Sequence, residues 1–139
     1  MNTIILATDG SSHSDAAARY LVDGPLLNRD FTVHILHCEP DVTGDVKTFI
    51  GQADIDAWHH EESDKAMRSA VDILAAGNVA FECHELTGHA AEKIVEYAAK
   101  VNAAVIVMGS HHRSQLLDAV LRSTCGRIVQ NAPCPVLLI

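Results

Sequence analysis

The chain has 139 residues, about the usual size of one domain, and its 48% hydrophobic and 20% charged residues are ordinary for a globular protein. Its 18 acidic and 10 basic residues give a formal charge of −8, which argues against non-specific binding to nucleic acid and to an anionic membrane surface. No apolar run approaches the about 20 residues of a membrane span, and the N-terminus lacks a signal-peptide pattern, so we expect a cytoplasmic protein with a single domain over residues 1–139.

The first half of the chain alternates apolar runs with helical patterns. Residues 3–7 form an apolar run that is typical of a central parallel strand, and Ser12 with Asp15 resembles a capping box that opens a helix. Residues 31–38 predict a second strand. After a long irregular stretch, residues 56–76 predict a second helix, because apolar side chains recur there at helical spacing.

The second half continues the same alternation. Residues 80–86 and 103–108 predict two further strands, with a helix between them that begins at Gly88. A last helix begins near residue 124, and residues 135–139 predict a fifth strand. The inward side chains of that last helix are expected to be Cys125, Ile128, Val129 and Ala132. Strands that alternate with helices predict a three-layer α/β fold, in which helices cover both faces of a parallel sheet.

Two polar turns would meet at the carboxyl ends of the strands of this sheet. They are residues 8–11, after the first strand, and residues 109–112, after the fourth. In such sheets ligands bind at the carboxyl ends of the strands, where the strand order reverses. Asp9 could accept hydrogen bonds from a ribose or a base there. Alternatively, Asp9 and Ser11 could simply cap the first helix, and the residues themselves leave both interpretations open.

The side chains that could carry catalysis or bind a metal form no complete motif. Residues 59–64 approach H-E-x-x-H but end in Asp64, and we interpret them as a solvated charged stretch in which His60 and Asp64 share a helical face. His111 and His112 are adjacent and cannot readily bind one ion together. We therefore expect no catalytic residue and no metal site. The cysteines, which we expect to be small core residues in a reducing compartment, are Cys38, Cys83, Cys125 and Cys134.

Four segments resemble the universal stress protein family: residues 5–11, 37–40, 107–111 and 132–136. They occur in the family's order, and the resemblance covers the whole chain. It implies an adenine-nucleotide alpha-hydrolase-like fold, which is a doubly wound sheet of five parallel strands in the order 3-2-1-4-5 with four helices. It also implies a non-enzymatic protein of the stress response that acts on an unknown protein client.

The family's nucleotide-binding signature is altered in this chain. The signature is Gly, two residues, Gly, nine residues, Gly, then Ser or Thr, and these positions hold Gly109, His112, Arg122 and Ser123. Glycine lets the backbone approach a phosphate closely, and the family has a branch without the signature that does not bind ATP. We therefore expect no tight ATP binding. If a nucleotide does bind, the resemblance implies contacts from Ala7, Asp9, Cys38, Gly109, His112, Arg122 and Ser123.

The alternative is a remodelled loop that binds ATP, AMP or another phosphate ligand. Arginine binds phosphate well, so Arg113 and Arg122, together with His111 and His112, could form a different anion site. The two interpretations differ in whether Arg122 blocks the ligand or attracts it.

The C-terminal strand predicts self-association. Residues 136–139 are apolar and carry no charge that would discourage pairing at a sheet edge. In the universal stress protein family this strand pairs antiparallel with its twin across a two-fold axis. The resemblance therefore implies an isologous homodimer centred on Val136 and Leu138. The alternative is an edge that a loop covers within one chain.

Overall fold

The computed structural model describes residues 2–24, 28, 30–41, 49–109 and 124–139. Five parallel strands form one sheet in the order β3-β2-β1-β4-β5. The strands are β1 (Asn2–Ala7), β2 (Phe31–Glu39), β3 (Phe81–Thr87), β4 (Val105–Met108) and β5 (Val136–Leu138). The helices within the described ranges are α1 (Ser12–Asp23), α2 (Gln52–Ala76), α3 (Ala90–Lys100) and α4 (Thr124–Asn131). The predicted α/β class and strand order are confirmed.

Strand β1 separates two hydrophobic cores. Ile4 and Leu6 pack on one face of the sheet against α1 and α2, while Ile5 and Ala7 pack on the other face against α3 and α4. Successive side chains of a strand point to opposite faces, so a central strand covered on both sides must be apolar throughout. This explains why residues 3–7 form a continuous apolar run rather than an alternating one.

The start of α1 differs from the prediction by one residue. Ser11, not Ser12, is the N-cap, and its Oγ accepts a hydrogen bond from the backbone N–H of Ser14 at 3.3 Å. The backbone of Ser11 is extended, with ψ of 167°, as an N-cap requires. Asp15 does not complete a capping box. Its carboxylate accepts instead from the hydroxyl of Ser69 on α2, at 2.6 Å.

Several predicted helical faces need correction. His59, which we expected in a solvated stretch, is buried on α2 with 7% of its surface exposed, whereas Val129, which we expected to point inward on α4, is 50% exposed. The prediction for the neighbouring His60 holds, since its Nε2 lies 3.3 Å from Asp64 on the same helical face.

The cysteines are not core residues, in contrast to the prediction, because Cys83 is exposed and Cys38, Cys125 and Cys134 are only partly buried.

The observed boundaries of two elements differ from the predicted ones by a few residues. Helix α2 begins at Gln52 rather than near residue 56, and β4 begins at Val105 rather than at residue 103. Within the described ranges, no helix combines the length and the apolar character that a membrane crossing demands.

Candidate functional site

A crevice of about 330 Å³ opens at the carboxyl ends of β1, β2 and β4, where the strand order reverses. Its walls also include Ala90 and Ile94 of α3 and the first two residues of α4, Thr124 and Cys125. This volume lies at the lower end of the range of roughly 300–1,000 Å³ that is typical of small-molecule sites. The crevice is therefore at the predicted position, and it is large enough for a small organic ligand.

The turn after β1 is held by hydrogen bonds around Asp9. The Oδ1 atom of Asp9 accepts from the backbone N–H of Ser11 at 2.9 Å and from the hydroxyl of Ser14 at 2.8 Å. The Ser14 Oγ in turn accepts from the backbone N–H of Asp9 at 3.2 Å. Asp9 also lines the crevice. The two interpretations of this residue are thus compatible, because it stabilises the helix start and still borders the space for a ligand.

These hydrogen bonds favour the ionised form of Asp9. Partial burial raises the pKa of its carboxyl, but the donors on Ser11 and Ser14 outweigh this effect and hold the pKa below the ordinary value of 3.8. Asp9 therefore presents a negative charge to the crevice at neutral pH.

A buried histidine of the segment 37–40, to which the sequence analysis assigned no role in the crevice, joins the ends of β1 and β2. His37 donates from Nδ1 to the backbone oxygen of Thr8 at 2.8 Å, and its Nε2 lies 2.5 Å from the carboxylate of Glu39. Because a carbonyl oxygen can only accept, Nδ1 must carry a proton. The sequence did contain a signal, since His37 and Glu39 are two residues apart and so share one face of β2.

Cys38, one of the predicted nucleotide contacts, lines the crevice as a neutral thiol. Burial, and to a lesser extent the nearby Glu39 carboxylate, raise the pKa of this thiol, and Lys93 partly offsets them, so that the pKa is about 11. The Sγ lies 3.5 Å from the backbone oxygen of Gly88, to which it donates. A thiolate is needed for nucleophilic attack or metal binding, so Cys38 contributes shape rather than reactivity.

Gly109 follows β4 and packs directly against the backbone of α1. A Cβ atom at this position would lie 2.2 Å from the backbone oxygen of His13 and 2.8 Å from the backbone nitrogen of Ser14. Neither atom belongs to a flexible side chain, so no residue with a side chain fits without moving the helix or the strand. The fold itself therefore requires glycine here, whether or not a ligand binds.

The structure brings together four of the predicted contacts, namely Ala7, Asp9, Cys38 and Gly109. The other three, His112, Arg122 and Ser123, lie outside the described residues, as do His111 and Arg113. Of the remaining crevice residues, Thr8 belongs to the predicted polar turn and His37 to the segment 37–40. The sequence analysis did not expect Ser14, Ala90 and Ile94 at the site.

Comparison with known proteins gives consistent relationships. A sequence model described as the universal stress protein family matches residues 1–139. A universal stress protein of Methanocaldococcus jannaschii is 29% identical over 142 residues, which cover 98% of this chain and 80% of that protein. The structure of a universal stress protein from Archaeoglobus fulgidus matches with a TM-score of 0.74 at 26% identity, covering 100% and 98% of the two chains. A universal stress protein solved in complex with cAMP matches with a TM-score of 0.75 at 21% identity, covering 99% and 96%.

The packing of Gly109 predicts that alanine is not tolerated at this position. We expect Gly109→Ala to lower the free energy of unfolding by roughly 1–3 kcal/mol, as overpacking usually does, measured by urea denaturation. The matched control is Gly51→Ala, since a Cβ there meets no atom nearer than 3.9 Å. We expect the control to cost less than about 1 kcal/mol through its N-cap position. Equal stability of Gly109→Ala and the wild type would contradict the packing argument.

The depressed pKa of Asp9 predicts a pH-dependent contribution to stability. The ionised carboxylate stabilises the fold above its ordinary pKa of 3.8, and this contribution is lost as the pH falls through the lower folded-state pKa. We therefore expect Asp9→Asn to be less stable than the wild type at neutral pH, with a difference that narrows below pH 3.8. Urea denaturation of the wild type and the variant, at neutral pH and again below pH 3.8, measures this difference in stability. The difference should also shrink in a Ser14→Ala background, which removes one donor, and a difference independent of pH would refute the assignment.

Proposed function

Because this chain belongs to the universal stress protein family, we propose that it is a homodimeric, non-enzymatic, cytoplasmic protein of the stress response that does not bind ATP tightly. The protein would then act by binding a protein client. The proposal has two parts, the loss of tight ATP binding and the pairing of two chains, and each rests on a different feature of the molecule.

The observation that carries the first part is the packing of Gly109 against α1. Of the three glycines in the family's signature, Gly109 is the one that this chain keeps, and the fold requires it for packing. Its presence is therefore no sign that a phosphate loop has been retained. At the other two positions stand His112 and Arg122, which bring side chains to a loop that needs bare backbone. The formal charge of −8 also disfavours a triphosphate.

A second candidate function is supported by the part of the crevice that lies at the ends of β1 and β2. Ala7, Asp9 and Cys38 meet there as the resemblance implies, and a protein of the same fold was solved with cAMP. A monophosphate depends less on a long phosphate loop than ATP does. The candidate is thus a sensor of AMP or of another phosphate ligand, in which Arg122 supplies a positive charge.

Calorimetry on the nucleotide-stripped protein with magnesium separates these candidates. We expect no heat of binding with ATP for the wild type, and measurable binding for the double variant His112→Gly and Arg122→Gly, because the substitutions restore bare backbone at both signature positions. The single variant Arg122→Gly distinguishes blocking from attraction. If Arg122 blocks the site, the substitution creates affinity for AMP, and if it attracts the phosphate, the substitution weakens AMP binding by about tenfold or more.

The control for this experiment is Arg127→Ala, which removes the same charge from an exposed position on α4. We expect it to leave nucleotide binding unchanged. One molecule of ATP bound per wild-type chain at micromolar affinity would overturn the first part of the proposal and favour the sensor.

The pairing of two chains is supported by the outer edge of β5. In the sheet, the backbone oxygen of Pro135 accepts from Ile106 and the backbone N–H of Ile139 donates to Met108. Backbone groups of a parallel strand alternate between its two sides, so those of Val136 and Leu138 point away from β4. Leu138 is also 37% exposed. Both features suit antiparallel pairing with a second copy of the strand.

We expect Leu138→Asp to convert the dimer to a monomer, because it would place two like charges close together across the paired strands. Light scattering should then give the chain mass of 15.0 kDa instead of twice that value. The matched control is Val129→Asp, which changes an exposed valine of α4 and should leave the dimer mass unaltered. A dimeric Leu138→Asp variant would show that the chains do not pair through β5.

A further inference from the structure

Three potential metal ligands converge on the face of the sheet that α3 covers. They are His34 on β2 and Glu82 and His84 on β3, and we call them the His34–Glu82–His84 cluster. His34 and Glu82 are register partners in the sheet, and His84 follows Glu82 by two residues, so all three side chains share one face. None of the three lines the crevice at the strand ends. The cluster is therefore a separate feature of the molecule.

The distances within the cluster suit a shared cation. The Nε2 of His34 lies 2.9 Å from Oε2 of Glu82, and the Nε2 of His84 lies 3.7 Å from Oε1 of the same carboxylate. One ligand atom from each residue can be chosen such that all three lie within 4.8 Å of one another. In a tetrahedral zinc site, with bonds of about 2.0–2.1 Å, neighbouring ligand atoms are roughly 3.3 Å apart. Only small side-chain movements separate the two arrangements.

His84 supplies an independent indication of a ligand. Its Nε2 is shielded from solvent and has no hydrogen-bond partner among the described residues. A buried ring nitrogen without a partner costs free energy, and this one lies beside a carboxylate that carries a negative charge when ionised. A metal ion between the two would satisfy both groups.

We propose that His34, Glu82 and His84 bind a divalent transition-metal ion of the zinc type. Two imidazoles and one carboxylate are a known zinc ligand set, in which water takes the fourth position. Glu82 and His84 have 56% and 34% of their side-chain surfaces exposed, which gives an ion a path to the site. Lys100 acts electrostatically on His84 and opposes a cation, so it limits the affinity without removing a ligand.

Tyr97 of α3 positions the first of these ligands. Its hydroxyl lies 2.8 Å from Nδ1 of His34, the ring nitrogen that does not face Glu82. Histidines that bind metals usually donate their other ring N–H to an oxygen, which fixes the ring and leaves the opposite nitrogen for the ion. With Tyr97 as that acceptor, a bound ion would tie the edge strand β3 to β2 and to α3.

The test uses Zn²⁺ and the full chain, with calorimetry and thermal unfolding as readouts. We expect one Zn²⁺ per wild-type chain and a rise in melting temperature, because the ion binds the folded state. His84→Ala and Glu82→Gln should each weaken binding by about tenfold or more and abolish the rise. Tyr97→Phe, which keeps all three ligands, should weaken binding by about tenfold. Circular dichroism checks that each variant is folded. If one of the two ligand variants does not fold, the other still tests the site.

Two control variants exclude other zinc-binding groups. His60→Ala removes the histidine of a surface group in which His60 lies 3.3 Å from Asp64 and 3.1 Å from Glu85. Cys83→Ser removes the exposed thiol of the residue that separates Glu82 from His84 in the sequence. Both controls should bind Zn²⁺ as the wild type does. The proposal is overturned if the wild type binds no Zn²⁺, if the two ligand variants bind it unchanged, or if binding disappears with His60 or Cys83 instead.

Discussion

The position of β1 between β2 and β4 governs the rest of the structure. Helices cover both faces of this strand along residues 4–7, so these side chains must be apolar in both directions, and they enter two separate cores. Polar groups occur only at the two ends of the strand, with Asn2 and Thr3 at its start and Thr8 and Asp9 beyond its carboxyl end. The strands next to β1 lie on opposite sides of it, and the chain connections run away from β1 in both directions. No connection therefore crosses the space beyond the carboxyl end of β1. The location of the crevice follows from this single constraint.

Two contacts on either side of β1 then fix the shape of the crevice. On the β2 side, His37 holds the backbone oxygen of Thr8 through a buried hydrogen bond. On the β4 side, Gly109 packs against the backbone of α1 at a distance that leaves no room for a Cβ. Both contacts lie within the chain and need no ligand. The frame of the site can therefore persist in a protein that has lost affinity for a nucleotide, and a well-formed crevice does not by itself identify what it binds.

The sequence predicted features that depend on local pattern and missed those that depend on register or distant packing. Strands β1 and β4 were recognisable because a strand buried on both faces is a continuous apolar run. His59 was misjudged by its polarity, although it belongs to the buried stripe of α2, formed by Ile55, His59, Ser63, Met67, Ala70 and Leu74. Val129 was misjudged because α4 is short, with eight residues, and its pattern defines a face poorly. The contact between Gly109 and His13, and the meeting of His34 with Glu82, join residues far apart in the chain.

The two edges of the sheet differ in chemistry. Strand β5 ends the sheet with Val-Leu-Leu, whereas β3 carries Glu82 and Glu85 at the opposite edge, with Glu85 also bonded to His60 of α2. Charged side chains discourage an edge from accepting another strand. In the proposed homodimer the two copies would join through β5, and the combined sheet would end in an acidic β3 strand on each side. Because β3 would discourage a further strand at both ends, the proposed pairing would stop at two copies and would not lead to a fibre.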